Sequence, residues 1–219
     1  MWSRPVLVIN LQLQLYISFL WSVKLLATGC AGATTPDTLA DMTIRPVRLF
    51  GDPILRTPAD PVTDFDKQLR GLVKDLTQTL DDAQGAGLAA PQIGVGLRVF
   101  AYAVRGERGY LVNPVLEFPD EEEQDGEEGC LSFPGIYYDV TRRLNTVARG
   151  FTDRGDPIQV VGSEVLARCV QHETDHLDGV LFIDRMDAAT RKLAMREIRA
   201  ANWDGPVKIS PHRTTDRIF

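Results

Sequence analysis

The chain has 219 residues, enough for one domain with a sizeable core or one domain with tails. Its 44% hydrophobic and 25% charged residues are ordinary for a soluble globular protein, and a net charge of −6 gives no sign of a nucleic-acid binder at the level of bulk charge. Three cysteines (Cys30, Cys130, Cys169) are too few and too scattered for a disulfide framework, so a reducing, cytoplasmic setting is expected.

Residues 1–41 differ in character from the rest of the chain. Val6 to Trp21 is an apolar run broken by Asn10, Gln12 and Gln14, with only Arg4 ahead of it, and Lys24 interrupts it before Leu25-Leu26-Ala27-Thr28-Gly29-Cys30. Small residues before a cysteine suit an export signal of the lipid-anchored kind. The weak leading charge, the polar interruptions and the shortness of the run for a membrane span favour a non-domain extension, with Met42 as the true start. The expected organisation is an extension at 1–41, a catalytic domain at 42–205 and a tail at 206–219.

From Met42 the signals are regular. Ile44 to Leu49 reads as a strand, and Gly51-Asp52-Pro53 turns the chain. Thr63 or Asp64 can cap a helix with Asp66 in its first turn, and Leu69, Leu72, Val73, Leu76 and Leu80 follow the spacing of one buried helical face. Gly85 and Gly87 end that helix and begin an irregular stretch. Leu97–Val104 and Tyr110–Phe118 read as strands joined by a turn around Gly106, and the acidic run Asp120–Glu128 as a solvated hairpin connection. Further strands are expected at Tyr137–Asp139, Asn145–Phe151 and Ile158–Val161. Ser163 caps a second helix running to about Asp178, where Gly179 stops it, and Asp187 opens a third through about Ala201. The fold class expected is α+β: a mostly antiparallel sheet around a central metal-bearing helix, with a C-terminal helix.

His172-Glu173-Thr174-Asp175-His176 is the strongest local signal. Histidines four apart on a helix project from one face and can share a metal ion, with Glu173 beside them to carry a proton. The bland alternative, a solvated charged face, is weakened because two of only three histidines fall at this spacing. A catalytic metal needs a third protein ligand and an open position for water. His212 lies in a polar C-terminal segment, and Cys169 shares a helix with both histidines, which would strain a tetrahedral site. Cys130, in Gly129-Cys130-Leu131-Ser132, is the better choice.

Three segments then resemble a known family. Gly85-Ala86-Gly87-Leu88-Ala89-Ala90-Pro91-Gln92, Glu128-Gly129-Cys130-Leu131-Ser132 and Gln171-His172-Glu173-Thr174-Asp175-His176-Leu177 resemble, in order, the three signatures of peptide deformylases. With Gly51-Asp52-Pro53, the resemblance covers about Thr43 to Trp203. It implies removal of the formyl group from N-terminal formyl-methionine of new polypeptides, with Cys130, His172 and His176 as metal ligands and Glu173 as general base and later proton donor. It also implies that Gln92 and the Leu131 backbone N–H stabilise the oxyanion. The chemistry agrees: a metal lowers the pKa of water towards 7, a nearby carboxylate can shuttle the proton, and an uncharged amide suits a developing oxyanion. A Cys-His-His set fits Zn(2+), whereas the resemblance implies Fe(2+).

Gly87 allows close approach of an extended peptide to a strand edge, and Val165 and Cys169 can line an apolar pocket for methionine; core packing is the plain alternative for both. Rival readings are a zinc endopeptidase, with Asp184 or Asp187 as acidic ligand, and an exported, lipid-anchored binding protein resting on Leu25–Cys30. Residues 185–219 hold eight Lys or Arg against four acids, a local +4. Arg191, Lys192, Arg196 and Arg199 lie along the third helix, with Leu193, Ala194 and Ile198 as its buried side. A solvated face is the bland reading, and the resemblance implies contact with ribosomal RNA phosphates.

Overall fold

The computed structural model describes residues 44–201 and Trp203. It is built on a five-stranded antiparallel sheet of β1 (Gly87–Ala89), β2 (Val99–Val104), β3 (Glu107–Glu117), β8 (Asn145–Phe151) and β9 (Pro157–Ser163), in that spatial order. Two short ribbons stand beside it: β4 (Glu123–Gln124) with β7 (Arg142–Arg143), and β5 (Glu127–Glu128) with β6 (Tyr138–Asp139). Three helices complete the fold: α1 (Lys67–Ala83), α2 (Glu164–Leu177) and α3 (Ala188–Ala200). This is the expected α+β architecture.

Helices α1 and α2 cover opposite faces of the sheet, and β2 shows why its sequence Val-Phe-Ala-Tyr-Ala-Val is apolar without interruption. Val99, Ala101 and Ala103 join the cluster that holds Leu69, Leu72, Val73, Leu76 and Leu80 of α1. Phe100, Tyr102 and Val104 join the one that holds Leu166, Cys169, Val170 and Leu177 of α2. Side chains alternate across a strand, so a strand buried on both faces must be apolar at every position. A third cluster, with Cys130, Phe133, Ile136, Leu181, Phe182, Ala194 and Ile198, brings the 130–140 segment and α3 together. Helix α2 is thereby enclosed, and every residue from Leu166 to Leu177 is buried.

Most boundaries follow local chemistry. Asp66, not Thr63 or Asp64, is the cap of α1, its carboxylate accepting from the Gln68 and Leu69 N–H groups. Asp187 caps α3 in the same way through Ala189 and Thr190. Ser163 precedes α2 without a side-chain capping bond, and Gly179 leaves the helix at φ +71°. The β2–β3 hairpin turns at Arg105-Gly106, both at positive φ.

Four expectations need correction. Ile44–Leu49 is not a strand: its backbone goes to scattered partners, Arg45 N–H to the Thr79 hydroxyl and Arg48 N–H to the Gln92 carbonyl. Gly87–Ala89, read as irregular, is the edge strand β1. The acidic run is not wholly solvated, since Glu128 is completely buried. On α3, Ala194 and Ile198 are buried as expected, whereas Leu193 is 54% exposed because the helix touches the core along a narrow stripe. The extension at 1–41 with Cys30, the tail at 206–219 and His212 lie outside the described residues. No described helix is long and apolar enough to cross a membrane.

Candidate metal centre

Helix α2 and the segment after β5 meet to form one cluster. Cys130, His172 and His176 are all buried, and each offers a ligand atom within 4.8 Å of the other two. The Cys130 Sγ lies 3.2 Å from the His176 Nε2. The i, i+4 spacing places both imidazoles on one face of α2, with ring centroids 4.9 Å apart. The His172 Nδ1 meets the Glu128 Oε1 at 2.6 Å, so with that nitrogen donating to the carboxylate the Nε2 lone pair is left for a ligand bond.

Burial is the largest influence on the titration of Cys130 and of His176. It raises the Cys130 thiol well above its ordinary value, although the Ser132 backbone N–H, 3.4 Å from the sulfur, works in the opposite direction. Burial and then the neighbouring His172 lower His176 well below the usual imidazole range. A thiol and two imidazoles converging in this way could hold a divalent ion of intermediate softness, and three such groups leave the fourth position that a catalytic metal requires.

Glu173 lies on the same helix beside the two histidines. It is fully buried, and neither carboxylate oxygen has a hydrogen-bond partner among the described residues. Burial, and next the charge of Glu128, push its pKa well above the usual carboxylate range. Strand β1 passes so close that a Cβ placed on Gly87 would overlap the Glu173 carboxylate. Gln92, in the short turn after β1, is held by its own amide: the Oε1 accepts from the Ala89 N–H at 2.8 Å. Its Nε2 is thereby aimed at the Ser132 hydroxyl, 3.2 Å away, and the Cys130 Sγ, 3.6 Å away. Leu131 is buried next to Cys130, and its N–H has no protein acceptor among the described residues.

Cys169 is buried one turn before His172 and donates to the Ala86 carbonyl just before β1. Val165, a further turn back, is partly buried in the same cluster. Asp184 and Asp187, the acidic ligands of an endopeptidase reading, are engaged elsewhere. Asp184 accepts from Arg56, Arg191 and the Leu181 N–H, and Asp187 caps α3.

Sequence reasoning missed the charged surroundings of the cluster. Glu128 accepts from Arg142 at 2.7 and 3.1 Å and from Arg168 at 3.1 Å, besides His172. Burial would raise its pKa, but Arg142 and His172 outweigh burial and hold the carboxyl far below its ordinary value. Arg142 extends to Asp175 at 2.6 Å, and Asp175 in turn accepts from Arg185. The only hint in the sequence was the placing of Arg168 and Asp175 inside an otherwise enclosed helix.

Comparison with known proteins gives matches over most of the described residues. The family described as polypeptide deformylase matches residues 44–192. A peptide deformylase of Acidothermus cellulolyticus is 64% identical over 181 residues, 81% of this chain and 100% of the relative. Peptide deformylase 1 of Corynebacterium glutamicum is 51% identical and covers 74% of this chain and 98% of the relative. Among solved structures, the peptide deformylase of Thermus thermophilus superposes with a TM-score of 0.68 at 38% identity, covering 72% of this chain and 94% of that one. The Synechococcus elongatus enzyme in complex with actinonin gives 0.67 at 34% identity, covering 79% and 94%.

Proposed function

This chain belongs to the peptide deformylase family, an enzyme family that removes the formyl group from nascent polypeptides, and from that premise we propose how its own residues carry out the reaction. The observation that carries the reading is the convergence of Cys130, His172 and His176 beside a buried Glu173 whose carboxylate has no hydrogen-bond partner among the described residues. The family is metal-dependent, and these three residues would hold the ion. We assign it as Fe(2+), with Zn(2+) as the substitute that the ligand chemistry also accepts. When bound, such an ion supplies Lewis acidity and brings the pKa of water towards neutrality.

The protein's residues do the rest. The substrate extends along the open edge of β1 and adds backbone hydrogen bonds to that edge, and the absent Gly87 side chain leaves room for Glu173 beside it. Val165 and Cys169 border the methionine side chain. The formyl oxygen receives hydrogen bonds from the Gln92 Nε2 and the Leu131 N–H, donors that are already oriented before charge develops on it. Glu173 accepts the proton of the attacking water and returns it to the leaving amine, a role suited to a buried carboxylate whose pKa lies above the ordinary range. Burial of Gln92, His172, Glu173 and His176 excludes bulk water and strengthens these interactions.

The test uses Glu173→Gln with a formyl-methionyl peptide, following formate release and metal content together. The reading expects full metal content and a loss of nearly all turnover. Loss of the metal, or near-normal turnover, overturns the assignment of Glu173. Parallel incubation with an unformylated peptide should give no internal cleavage.

We further propose that the enzyme works in a reducing compartment, the cytoplasm, because a buried thiol serving as ligand must stay reduced. Ribosome contact through α3 belongs to the same proposal. Lys192, Arg196 and Arg199 are exposed and make no ion pair among the described residues, whereas Arg191 is paired with Asp184 at 3.0 Å. Changing Lys192, Arg196 and Arg199 to glutamine should weaken co-sedimentation with ribosomes at low salt and leave turnover of a short peptide unchanged. Equal sedimentation rules the contact out.

A further inference from the structure

We propose that Arg168 is a positioning residue for the metal centre: clamped between the acidic hairpin and α2, it holds Glu128 against His172. This rests on the Cys130, His172, His176 reading of the site.

Arg168 lies one turn before His172 on α2, and its side chain is 3% exposed. A guanidinium cannot be buried without partners, and here each oxygen it meets belongs to a different segment. Its Nη1 donates to the Val140 carbonyl at 2.6 Å and to the Glu128 Oε2 at 3.1 Å, and its Nη2 to the Gln124 carbonyl at 3.2 Å. A Cβ on Gly126 would stand 3.2 Å from the same Nη2, so the hairpin backbone closes directly over it. The fork therefore ties together β4, the end of β6 and α2.

The important partner is Glu128. Arg168 takes only the Oε2, while the His172 Nδ1 takes the Oε1. Arg142 spans both oxygens from the other side, Nε to Oε2 and Nη2 to Oε1. With donors on two sides, the carboxylate plane is fixed, and so is the direction from which His172 is held. Without Arg168 the Gln124 and Val140 carbonyls lose its donors, and the Glu128 carboxylate, held by guanidinium from the Arg142 side alone, can shift together with that fork. The His172 ring would follow it, because its Nδ1 is bonded to that carboxylate. A residue that orients a ligating imidazole through an intermediate carboxylate changes metal affinity and ligand-field geometry even where it touches neither metal nor substrate.

The experiment compares wild type, Arg168→Met and Arg168→Lys. Methionine keeps an apolar stem without donors, and lysine keeps the charge without the fork. Cobalt(II) is loaded into each, and its visible absorption spectrum, its affinity by chelator competition and the melting of the metal-free protein are recorded. The methionine variant should bind cobalt about 10- to 100-fold more weakly and show a shifted spectrum. It should lower kcat for a formyl peptide with KM little changed. Lysine should recover part of the affinity.

An unchanged spectrum and affinity in Arg168→Met overturns the proposal. So does weaker binding that merely parallels a lower melting temperature while the spectrum stays that of wild type, since Arg168 would then only support the fold. If Arg168→Met does not fold, Arg168→Lys decides by the same spectrum: a shift with melting preserved supports positioning, and identity with wild type refutes it. Failure of wild type itself to bind cobalt, with Cys130→Ser behaving alike, would instead overturn the metal-centre reading.

Discussion

Glu173 and Gly87 show how tightly single residues define this site. Because a Cβ on Gly87 would overlap the Glu173 carboxylate, Gly87→Ala must displace the carboxylate, the strand or both. A shift of about 1 Å in a catalytic group can cost on the order of 10²-fold, so Gly87→Ala should lose about that much in kcat with its circular dichroism unchanged. Activity within a factor of about two of wild type would show that β1 yields instead. Glu173 also carries a stability cost in the metal-free protein. Its folded pKa is raised by burial and by Glu128. Stability therefore falls as pH rises above the unfolded value of about 4.3 towards the raised folded value. The metal-free Glu173→Gln variant should melt higher than metal-free wild type at pH 7 and converge with it near pH 4; a lower melting temperature at pH 7 contradicts this. The histidine pair and Glu173 were legible in the sequence because one helical turn carries them all. Glu128 and Arg142 were not, because charged residues in a polar run read as solvated until the chain folds around them, and Arg168, though flanked by apolar residues, has partners 28 to 44 positions away that no local pattern shows.

At the scale of elements, capping and periodicity gave α1, α2 and α3 nearly to their ends, since the signals of a helix are local. The strands followed alternation less well. Ile44–Leu49 alternates suitably but finds no neighbouring ladder, and β1 is three residues long with a glycine at its start. Strand identity depends on a partner distant in sequence, which no local pattern contains. Helix α3 illustrates a weakly held element. Only Ala194 and Ile198 are buried along it, so its N-cap matters more than usual. Asp187→Ala removes two capping bonds and should destabilise the helix by about 1 kcal/mol. Amide exchange within 188–200 should accelerate, while kcat on a short formyl peptide stays as in wild type. Unaltered exchange would mean that the contacts around Ile198, and not the cap, set the helix.

Among the described residues of the whole molecule, the core clusters draw on positions after 46, and the family match likewise begins at residue 44. A fragment running from Met42 to Phe219 should therefore fold and deformylate as the full chain does, judged by melting temperature and kcat/KM; insoluble or inactive fragment would refute this. The placing of the proposed ligands has a further consequence. Cys130 comes from one segment and His172 from another, 42 positions later. An ion gripping both acts as a reversible cross-link that the unfolded chain cannot offer in the same form, so it withdraws conformational freedom from the disordered ensemble. Survival in heat then depends on free ion concentration as well as on the chain. At 100 times the dissociation constant the gain is about 2.7 kcal/mol, and each further tenfold adds about 1.4. A chelator should lower the melting temperature progressively, and Cys130→Ser should abolish that dependence because the cross-link loses one of its two anchors.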